Sequence, residues 1–156
     1  MPEMPAAAIE TEIGWLEVMA DGEAITHLNW RGTKPARLSG SPLVERAADE
    51  LKAYLSGRRK SFDVPLRAEG SDFARAVWDI MLAIPYGETL TYGDVAARLE
   101  VPAQAIGQAC GQNPIAVIIP CHRITGTNWL GGYSSELGLK AKRYLLDLER
   151  GQGRLF

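Results

Sequence analysis

The first third of the chain has the residue pattern of β-strands. The segments IETEI, WLEVM and AITHLNW, within residues 7–20 and 23–30, are rich in the β-branched and aromatic side chains that suit a pleated, half-buried surface. Asp21-Gly22 separates the last two segments, and this dipeptide is a strong signal for a two-residue turn. The pattern therefore predicts a β-hairpin in this part of the chain.

A helix is predicted after these strands. Ser41 is a candidate N-cap, Pro42 stands at the first helical position, and Gly57 ends a stripe of apolar residues at helical spacing. Phe62–Leu66 predicts one more strand, which Pro65 would confine to a sheet edge because proline cannot donate a hydrogen bond to a neighbouring strand. The element order is that of an α/β domain.

Beyond a candidate linker at 67–71 (RAEGS), apolar residues recur with helical spacing. The pattern predicts a helix capped by Ser71 or Asp72, a helix capped by Thr91 with Asp94 as its partner, a helix over 103–110, and a last helix that ends near Arg150. Two short helices with a tight connection are compatible with a helix-turn-helix. We therefore expect an α/β domain over 1–68 and a mostly helical domain over 69–156.

Composition and charge limit the class of protein. The 156 residues carry 17 basic and 19 acidic side chains, a formal net charge of −2, which excludes a protein coated with basic charge, such as a non-specific nucleic-acid packer. No apolar run approaches the roughly 20 residues of a membrane helix, and the N-terminus lacks the pattern of a signal peptide. Cys110 and Cys121 are too few for a disulfide framework, so we expect a reduced, soluble, cytoplasmic protein.

Cys121 is the residue with the clearest chemical potential. A free thiol titrates near ~8.5, so a nucleophilic cysteine needs a base to remove its proton and an acid to orient that base. His122 is adjacent in sequence, and Glu149 or Asp147 on the last helix could orient it. The alternative is that Cys121 is a small buried hydrophobe and His122 a hydrogen-bonded core histidine.

The residues around Cys121 favour a pocket. Pro120 cannot donate a ladder hydrogen bond, which predicts that the apolar run Ile115–Ile119 is a strand that ends just before the cysteine. Asn113 lies in a turn upstream, where its amide can hold neighbouring turns together, and glycines in the following loop permit close approach of a ligand. A metal site is not expected, because the two cysteines and two histidines show no CxxC or HxxxH spacing.

Three ordered motifs resemble a known family. IIPCHRI at 118–124 resembles the active-site signature of the O6-alkylguanine-DNA alkyltransferases, also called methylated-DNA–protein-cysteine methyltransferases. IPYGETLTYGDVAARL at 84–99 and GQACGQNP at 107–114 match the same family in order and spacing. The similarity covers about residues 71–151, and the N-terminal strands and helix fit the family's variable first domain.

The resemblance implies a fold and a reaction. The N-terminal α/β domain would be ribonuclease-H-like, and the C-terminal domain would be of winged-helix or helix-turn-helix type. The protein would bind double-stranded DNA as a monomer in the minor groove, flip the damaged guanine out of the stack and accept its O6-alkyl group, with O4-alkylthymine as a second substrate. The thioether is not hydrolysed, so each molecule would act once and without a cofactor.

The resemblance also implies roles for individual residues. Cys121 would accept the alkyl group, with His122 as its base through a water molecule and Glu149 orienting His122. Asn113 would brace the turn, and Tyr92 would hydrogen-bond the base and help to protonate it as the alkyl group leaves. The guanine edge would be read by three backbone groups, the carbonyls of Cys121 and Ile124 and the amide of Ser134.

The chain departs from the family pattern in the third helix of the second domain. Gln104 stands where the family commonly has an arginine wedged into the base stack, and glutamine lacks the charge and the stacking plane of a guanidinium. Residues 102–110 include no basic side chain, so phosphate contacts are expected from other positions: Arg75, Arg98, Arg123, Lys140, Lys142 and Arg143. We therefore expect DNA binding that is weaker than in typical family members and that depends less on intercalation.

The loop after the signature, GTNWLGGYSSELGL, departs as well. Trp129 is unusual there, and it either packs onto the last helix or lies against the lesion or the DNA. Tyr133 and the following Ser135-Glu136 belong to the same loop, which walls the pocket in the family. These differences bear on the range of alkyl groups that the pocket accepts.

Two other functions stay open on the sequence alone. An alkyltransferase-like damage sensor would flip the base without transfer, but such relatives lack the acceptor cysteine that this chain has in PCHR. A Cys-His hydrolase would need an oxyanion-binding apparatus, and nothing in the sequence resembles one. Cys110 could be a second acceptor, although a buried helix residue is the favoured interpretation.

Overall fold

The structure is a computed structural model of the chain and describes residues 4–36, 38–133 and 135–151. These residues form two compact units. The first unit is the chain up to Glu69 together with Pro114–Ile118 and Ser135–Leu137, and the second is Gly70–Asn113, residues 119–133 and the chain from Gly138 onward. Two segments from later in the chain thus belong to the first unit, whereas the sequence suggested two continuous domains.

The first unit is a three-stranded antiparallel sheet with one helix packed against it. Strands β1 (Ala6–Glu10), β2 (Trp15–Ala20) and β3 (Ile25–Arg31) lie in the order β1-β2-β3, and helix α1 spans Pro42–Leu55. Alternate positions of β2 are buried, as expected for a strand with one face on a core. This unit is the predicted α/β domain.

The turn between β2 and β3 is longer than the sequence predicts. The loop spans Asp21–Ala24 instead of the two residues Asp21-Gly22. Oδ1 of Asp21 accepts backbone N–H bonds from Glu23 at 2.7 Å and from Ala24 at 2.8 Å. The aspartate side chain therefore stabilises a wider Asx-type loop that competes with the tight hairpin turn.

Helix α1 begins and ends at the predicted residues, but the strand predicted after it is absent. Ser41 caps the helix, Pro42 is its first residue, and Gly57 follows its end with φ +81°. Phe62–Leu66 forms no strand, and only its last residue makes an isolated bridge to β3. The proline in this segment removes one of the backbone donors that a longer pairing would require.

The second unit is mainly helical. Its helices are α2 (Asp72–Leu82), α3 (Tyr92–Leu99), α4 (Ala103–Gly111) and α5 (Gly138–Arg150). Two short strands, β4 (Leu90–Thr91) and β5 (Ile124–Thr125), pair in parallel. Helices α3 and α4 pack together across the short connection 100–102, which is the arrangement of a helix-turn-helix. The mostly helical character of this unit agrees with the prediction.

Local caps determine where α2 and α3 begin. Oγ of Ser71 accepts the N–H of Ala74 at 3.1 Å. Thr91 and Asp94 form a reciprocal capping box, with N–H to oxygen distances of 3.0 and 2.9 Å. Both predicted caps are confirmed. Because Thr91 ends β4 and also caps α3, Tyr92 is held at the point where the strand becomes a helix.

The apolar segment before Cys121 is a buried turn and not the predicted strand. Val117 has φ +72°, and a 2.9 Å hydrogen bond between its two neighbours closes a γ-turn around it. Pro120 (φ −84°, ψ 70°) forms a second γ-turn, in which the N–H of Cys121 donates to Ile119 at 2.8 Å. A fully apolar run does not distinguish a buried strand from a buried turn, which explains the wrong prediction. Cys121 instead begins a 3₁₀ turn, Cys121–Arg123.

Two features are absent from the described ranges. No helix there combines the length and the apolar character that crossing a bilayer requires. No group of three histidine, cysteine, aspartate or glutamate side chains there is arranged to hold a metal ion.

Candidate active site

A pocket of about 580 Å³ lies in the second unit, and Cys121 forms part of its wall. Its walls come from the start of α3, one face of α4 and the loop after β5. Because β4 and β5 are parallel, Tyr92 and Gly126, which follow them, lie at the same end of this small sheet. The pocket also brings together three other predicted site residues, Gln104, Trp129 and Tyr133.

The cysteine is buried and its turn is braced by Asn113. Cys121 is 8% exposed, and Nδ2 of Asn113 donates to the carbonyl of Ile119 at 2.8 Å, which fixes the γ-turn before the cysteine. Burial raises the pKa of the Cys121 thiol, whereas hydrogen bonding to Asn113, the charge of Lys142 and the Tyr133 hydroxyl act to lower it. The cysteine is therefore a protected thiol whose neighbours favour its ionised form.

A buried hydrogen bond joins His122 to Glu149. The distance from Nε2 to Oε2 is 2.8 Å, and the two side chains are 0% and 1% exposed. Since the carboxylate can only accept, Nε2 carries the hydrogen and Nδ1 holds the free lone pair. Nδ1 has no hydrogen-bond partner among the described residues. Of the two acids that the sequence offers, Glu149 and not Asp147 orients the histidine.

Burial is also the largest influence on the protonation of His122. It lowers the pKa of the imidazole, while the hydrogen bond and the charge of Glu149 raise it and the cations Arg123 and Lys142 lower it further. The net direction is downward. The histidine is therefore neutral near pH 7, with Nδ1 able to accept a proton.

Arg123 is part of this buried network, which corrects the prediction that it contacts DNA phosphate. Its Nε and Nη2 donate to the two oxygens of Glu149 at 2.8 and 3.0 Å, and Nη1 donates to the carbonyl of Ile84 at 2.7 Å. Only 8% of the residue is exposed. All three residues of the 3₁₀ turn, Cys121–Arg123, are buried, so the arginine lies in the interior with the cysteine and the histidine. Arg123 therefore holds Glu149 in place.

Lys142 is the second basic residue that the sequence predicts at the surface and that lies in the interior of the structure. It is 0% exposed, and its Nζ donates to the carbonyls of Ile124 at 2.6 Å and Gly132 at 3.0 Å. Lys142 and Glu149 are seven residues apart, so two helical turns place them on the same buried face of α5. That spacing is the sequence signal that could have identified the buried lysine. The other four predicted phosphate contacts are exposed: Arg75, Arg98, Lys140 and Arg143.

Tyr92 packs against the glycine-rich loop. A Cβ at Gly131 would lie 2.5 Å from Oη of Tyr92, and Gly131 has φ +81°, so glycine is needed there for two reasons. Oη accepts the N–H of Gly132 at 3.2 Å and lies 3.5 Å from its carbonyl. Burial is the main cause that raises the pKa of Tyr92. The tyrosine is thus a neutral hydroxyl held at the pocket wall.

Two of the remaining predicted residues, Gln104 and Trp129, are exposed and line the pocket, and the others were predicted to act through backbone groups. Gln104 is exposed on α4 and lines the pocket. Trp129 is 66% exposed and its indole lies against Gly126, where a Cβ would overlap the ring, so little of it is left to pack onto the last helix. The carbonyl of Cys121 accepts the N–H of Ile124, and the carbonyl of Ile124 accepts from Nζ of Lys142. Ser134, the predicted backbone donor, lies outside the described residues.

Cys110 lines the same pocket as Cys121. Burial, with a smaller contribution from Cys121, raises the pKa of its thiol to about 12. Burial raises the pKa of both thiols, but for Cys121 hydrogen bonds to the side chains of Asn113 and Tyr133 act in the opposite direction and favour the thiolate, which is the reactive form of cysteine.

Comparison with known proteins decides the family. Residues 72–151 match the family model described as the DNA binding domain of 6-O-methylguanine DNA methyltransferase, and residues 6–68 match the model of its ribonuclease-like domain. The chain belongs to the 6-O-methylguanine DNA methyltransferase family. The two matches also support the predicted combination of a ribonuclease-like domain and a DNA-binding domain.

Individual methyltransferases are similar over nearly the whole chain. The methylated-DNA–protein-cysteine methyltransferase of Methanosarcina acetivorans is 41% identical, over 92% of this chain and 96% of that protein, and the protein of the same name from Mycobacterium tuberculosis is 40% identical, over 92% and 91%. The crystal structure of Mycobacterium tuberculosis O6-methylguanine methyltransferase gives a TM-score of 0.82 at 37% identity, covering 96% of this chain and 94% of that one. Mycobacterium tuberculosis OGT in complex with DNA gives 0.81 at 40% identity, covering 93% and 92%.

Proposed function

We propose that the protein repairs DNA by moving the alkyl group of O6-alkylguanine to the sulfur of its own Cys121. The observation that carries the proposal is the constellation in one unit: a buried thiol in a pocket wall, a neutral histidine held by a carboxylate, and a tyrosine hydroxyl at the same pocket. Membership of the methyltransferase family supports the substrate class. O4-alkylthymine is a second substrate of the same chemistry.

The nucleophile is prepared by His122. Its free Nδ1 takes the thiol proton through a water molecule, and Glu149 stabilises the imidazolium that forms. The buried site matters because displacement at carbon needs a desolvated thiolate in line with the breaking C–O bond. Burial of Cys121 provides the desolvation, and Asn113 fixes the turn that aims the sulfur.

The transfer itself is one displacement. The Cys121 sulfur forms a bond to the alkyl carbon as the bond from carbon to O6 breaks, and the electron pair of that bond stays on the guanine. The guanine takes a proton from the hydroxyl of Tyr92, which makes it a better leaving group. The thioether product contains no group that water attacks readily, so each molecule reacts once, and the displacement uses no cofactor.

DNA is bound through the helix-turn-helix of α3 and α4, in the minor groove and with the damaged base flipped into the pocket. Exposed Arg75, Arg98, Lys140 and Arg143 are the side chains available to neutralise phosphate. Gln104 faces the pocket from α4 and replaces the arginine that the family pattern places there. The protein binds as a monomer, and its need for a free thiol favours a reducing compartment such as the cytoplasm.

The test is an intact-mass and peptide-map measurement after mixing the protein with duplex DNA that contains one O6-methylguanine. The expected result is a mass gain of one methylene on Cys121, with guanine restored in the DNA. Cys121→Ser should abolish the gain and Cys110→Ser should keep it, since Cys121 is the cysteine that lies next to His122 in the turn that Asn113 braces. DNA binding without any mass gain would instead support a damage sensor, and a gain on Cys110 would overturn the site.

A further inference from the structure

Trp129 is an exposed aromatic side chain that the reaction described above does not use. It is 66% exposed, although tryptophan is highly buried on average in folded proteins. The same side chain lines the pocket whose wall contains Cys121. A large apolar surface at the wall of a pocket is free to contact a ligand, so Trp129 is a candidate for a role in substrate choice.

The indole of Trp129 is held against the backbone of Gly126. A Cβ at Gly126 would overlap the ring, and the three atoms nearest to it would be Nε1, Cδ1 and Cε2 of Trp129. These atoms belong to the five-membered ring, so the six-membered ring extends beyond the glycine. The φ angle of Gly126 lies outside the left-handed region. The position of the indole, and not the backbone conformation, is therefore what requires a glycine here.

Trp129 lies in the loop that borders the nucleophile. This loop spans residues 126–133, and the hydroxyl of Tyr133 at its end hydrogen-bonds the thiol of Cys121. During transfer the reacting carbon contacts the sulfur, so atoms beyond that carbon occupy the space around the sulfur. A methyl group has no heavy atom there, whereas a ring carried by the reacting carbon does.

The pocket has room for such a ring. Its volume of about 580 Å³ is within the range of roughly 300–1,000 Å³ that holds drug-sized ligands, which are larger than a methylated base. Glycines form much of its wall, and a Cβ at Gly107 or at Gly132 would have no neighbour within 4 Å. The pocket is therefore wider than a methylated guanine requires.

We propose that Trp129 is a specificity-determining residue, whose indole stacks on a flat ring carried by the reacting carbon and makes the protein favour arylmethyl groups over saturated groups of equal size. The inference rests on the proposed function and names a substrate class for the same site. The bonds that form and break are those already given, with an arylmethyl carbon in place of the methyl carbon. Aromatic pairs gain free energy beyond the burial of their area, and a saturated ring lacks this gain.

A contact with the guanine or with the DNA is the competing explanation. Exposed aromatic side chains of nucleic-acid-binding proteins also stack on bases. The two explanations differ in their dependence on the substituent. A contact with guanine or DNA is the same for every alkyl group, whereas a contact with a ring on the reacting carbon is missing when the alkyl group is methyl.

The experiment measures single-turnover transfer from duplex DNA that carries one O6-methylguanine, O6-benzylguanine or O6-(cyclohexylmethyl)guanine. Trp129→Leu keeps an apolar side chain and removes the aromatic plane, whereas Trp129→Phe keeps a plane. Each variant is compared with the parent on the same substrate, so the intrinsic reactivity of each alkyl carbon cancels. We expect Trp129→Leu to slow benzyl transfer about 3- to 10-fold, the range of one aromatic pair, and to change the other two rates less than about twofold. Trp129→Phe should keep most of the benzyl rate.

Gly126→Ala tests the placement of the indole without removing it. Its Cβ should displace the ring, so we expect the same selective loss of benzyl transfer, and no further loss in a Trp129→Ala background, where the space is free. Leu82→Ala is the matched control, because Leu82 is an exposed apolar residue of the same unit that does not line the pocket. It should leave all three rates unchanged.

The outcomes are distinct. Equal rate losses for the three substrates in Trp129→Leu would indicate a contact with guanine or DNA and would overturn the role proposed for Trp129. Equal losses for the two ring substituents, an unchanged benzyl rate, or a parent that transfers methyl but neither ring substituent would also overturn it, and the transferase would stand. A parent protein that transfers no methyl group would overturn the proposed function and this inference with it.

Discussion

The ion pair between Arg123 and Glu149 should be the most costly single interaction to break in the second unit. Glu149→Gln keeps the size of the side chain and removes its charge. In the parent, the carboxylate accepts from Nε and Nη2 of Arg123, from Nε2 of His122 and, at 3.4 Å, from the N–H of Gly87. A glutamine offers one acceptor oxygen, and its amide N–H groups face the guanidinium of Arg123, which cannot accept from them.

The expected magnitude follows from burial. The side chains of Arg123 and Glu149 are 10% and 1% exposed. Loss of the carboxylate charge therefore leaves a guanidinium that is largely out of water with neutral acceptors, the carbonyl of Ile84 and the single oxygen of the substituted glutamine. Breaking a buried ion pair on one side costs about 3–5 kcal/mol of unfolding free energy. That is a large part of the roughly 5–15 kcal/mol that stabilises a typical domain.

Glu50→Gln is a matched control in the first unit. Glu50 is also buried, but its partners Arg46 and Arg59 are 52% and 30% exposed, at 3.4 and 3.6 Å. Water solvates these cations, so the same substitution should cost no more than about 1 kcal/mol. Its glutamine can still accept the N–H of Asp63, which the parent carboxylate does at 2.9 Å.

Urea unfolding, followed by tryptophan fluorescence and by far-ultraviolet circular dichroism, measures both variants against the parent. Coincident transitions are required before a free energy is extracted. A Glu149→Gln cost that is no larger than the Glu50→Gln cost would refute the argument that desolvation of Arg123 sets the energy.

Three further predictions concern the pocket and its surroundings. Gly131→Ala should slow methyl transfer at least about tenfold, because a Cβ there meets Tyr92 and alanine is strained at positive φ. Gly22→Ala, where a Cβ has nothing within 4 Å, is the control and should leave the rate unchanged. Equal rates for the two variants would contradict the close packing of Gly131 against Tyr92. Because the pKa of His122 is lowered, burial of its neutral form contributes stability that is fully present above pH 6.5 and is lost as the pH falls from 6.5 towards the lowered pKa. Urea unfolding at several pH values should show this fall in the free energy of unfolding for the parent and not for His122→Asn. Gln104→Arg should tighten DNA binding about five- to tenfold at low salt, measured by fluorescence anisotropy, and an unchanged affinity would count against the role given to Gln104.

Features that depend on neighbouring residues were predictable from the sequence. The caps at Ser41 and at Thr91 with Asp94 follow from hydrogen bonds within one turn, and the structure forms them. The bond between His122 and Glu149 was predicted with a choice of two acids, and the structure selects one. The strand predicted over Ile115–Ile119 failed because apolar character alone reports burial and not backbone conformation.

The direction of a basic side chain was harder to predict. Arg123 and Lys142 were assigned to phosphate because a cation is solvated in most contexts, and nothing adjacent in the sequence contradicts that. Their burial depends on partners that are distant along the chain. Arg123 donates to the carbonyl of Ile84 and the carboxylate of Glu149, and Lys142 donates to the carbonyl of Gly132. Only the tertiary fold supplies these acceptors.

One cue in the sequence nevertheless separates Lys142 from the surface cations. Along α5, the buried positions repeat at helical spacing, and two of them carry charge, Lys142 and Glu149, in a stripe otherwise occupied by leucine and alanine. An amphipathic helix gains free energy by placing apolar groups on that face, so a charge there is costly unless a partner at the site requires it. Neighbouring Lys140 and Arg143 lie off the stripe and are exposed, as the same reasoning demands. The helix therefore acts as a rigid support that holds the carboxylate of Glu149 against His122 and the ammonium of Lys142 against the carbonyls of Ile124 and Gly132.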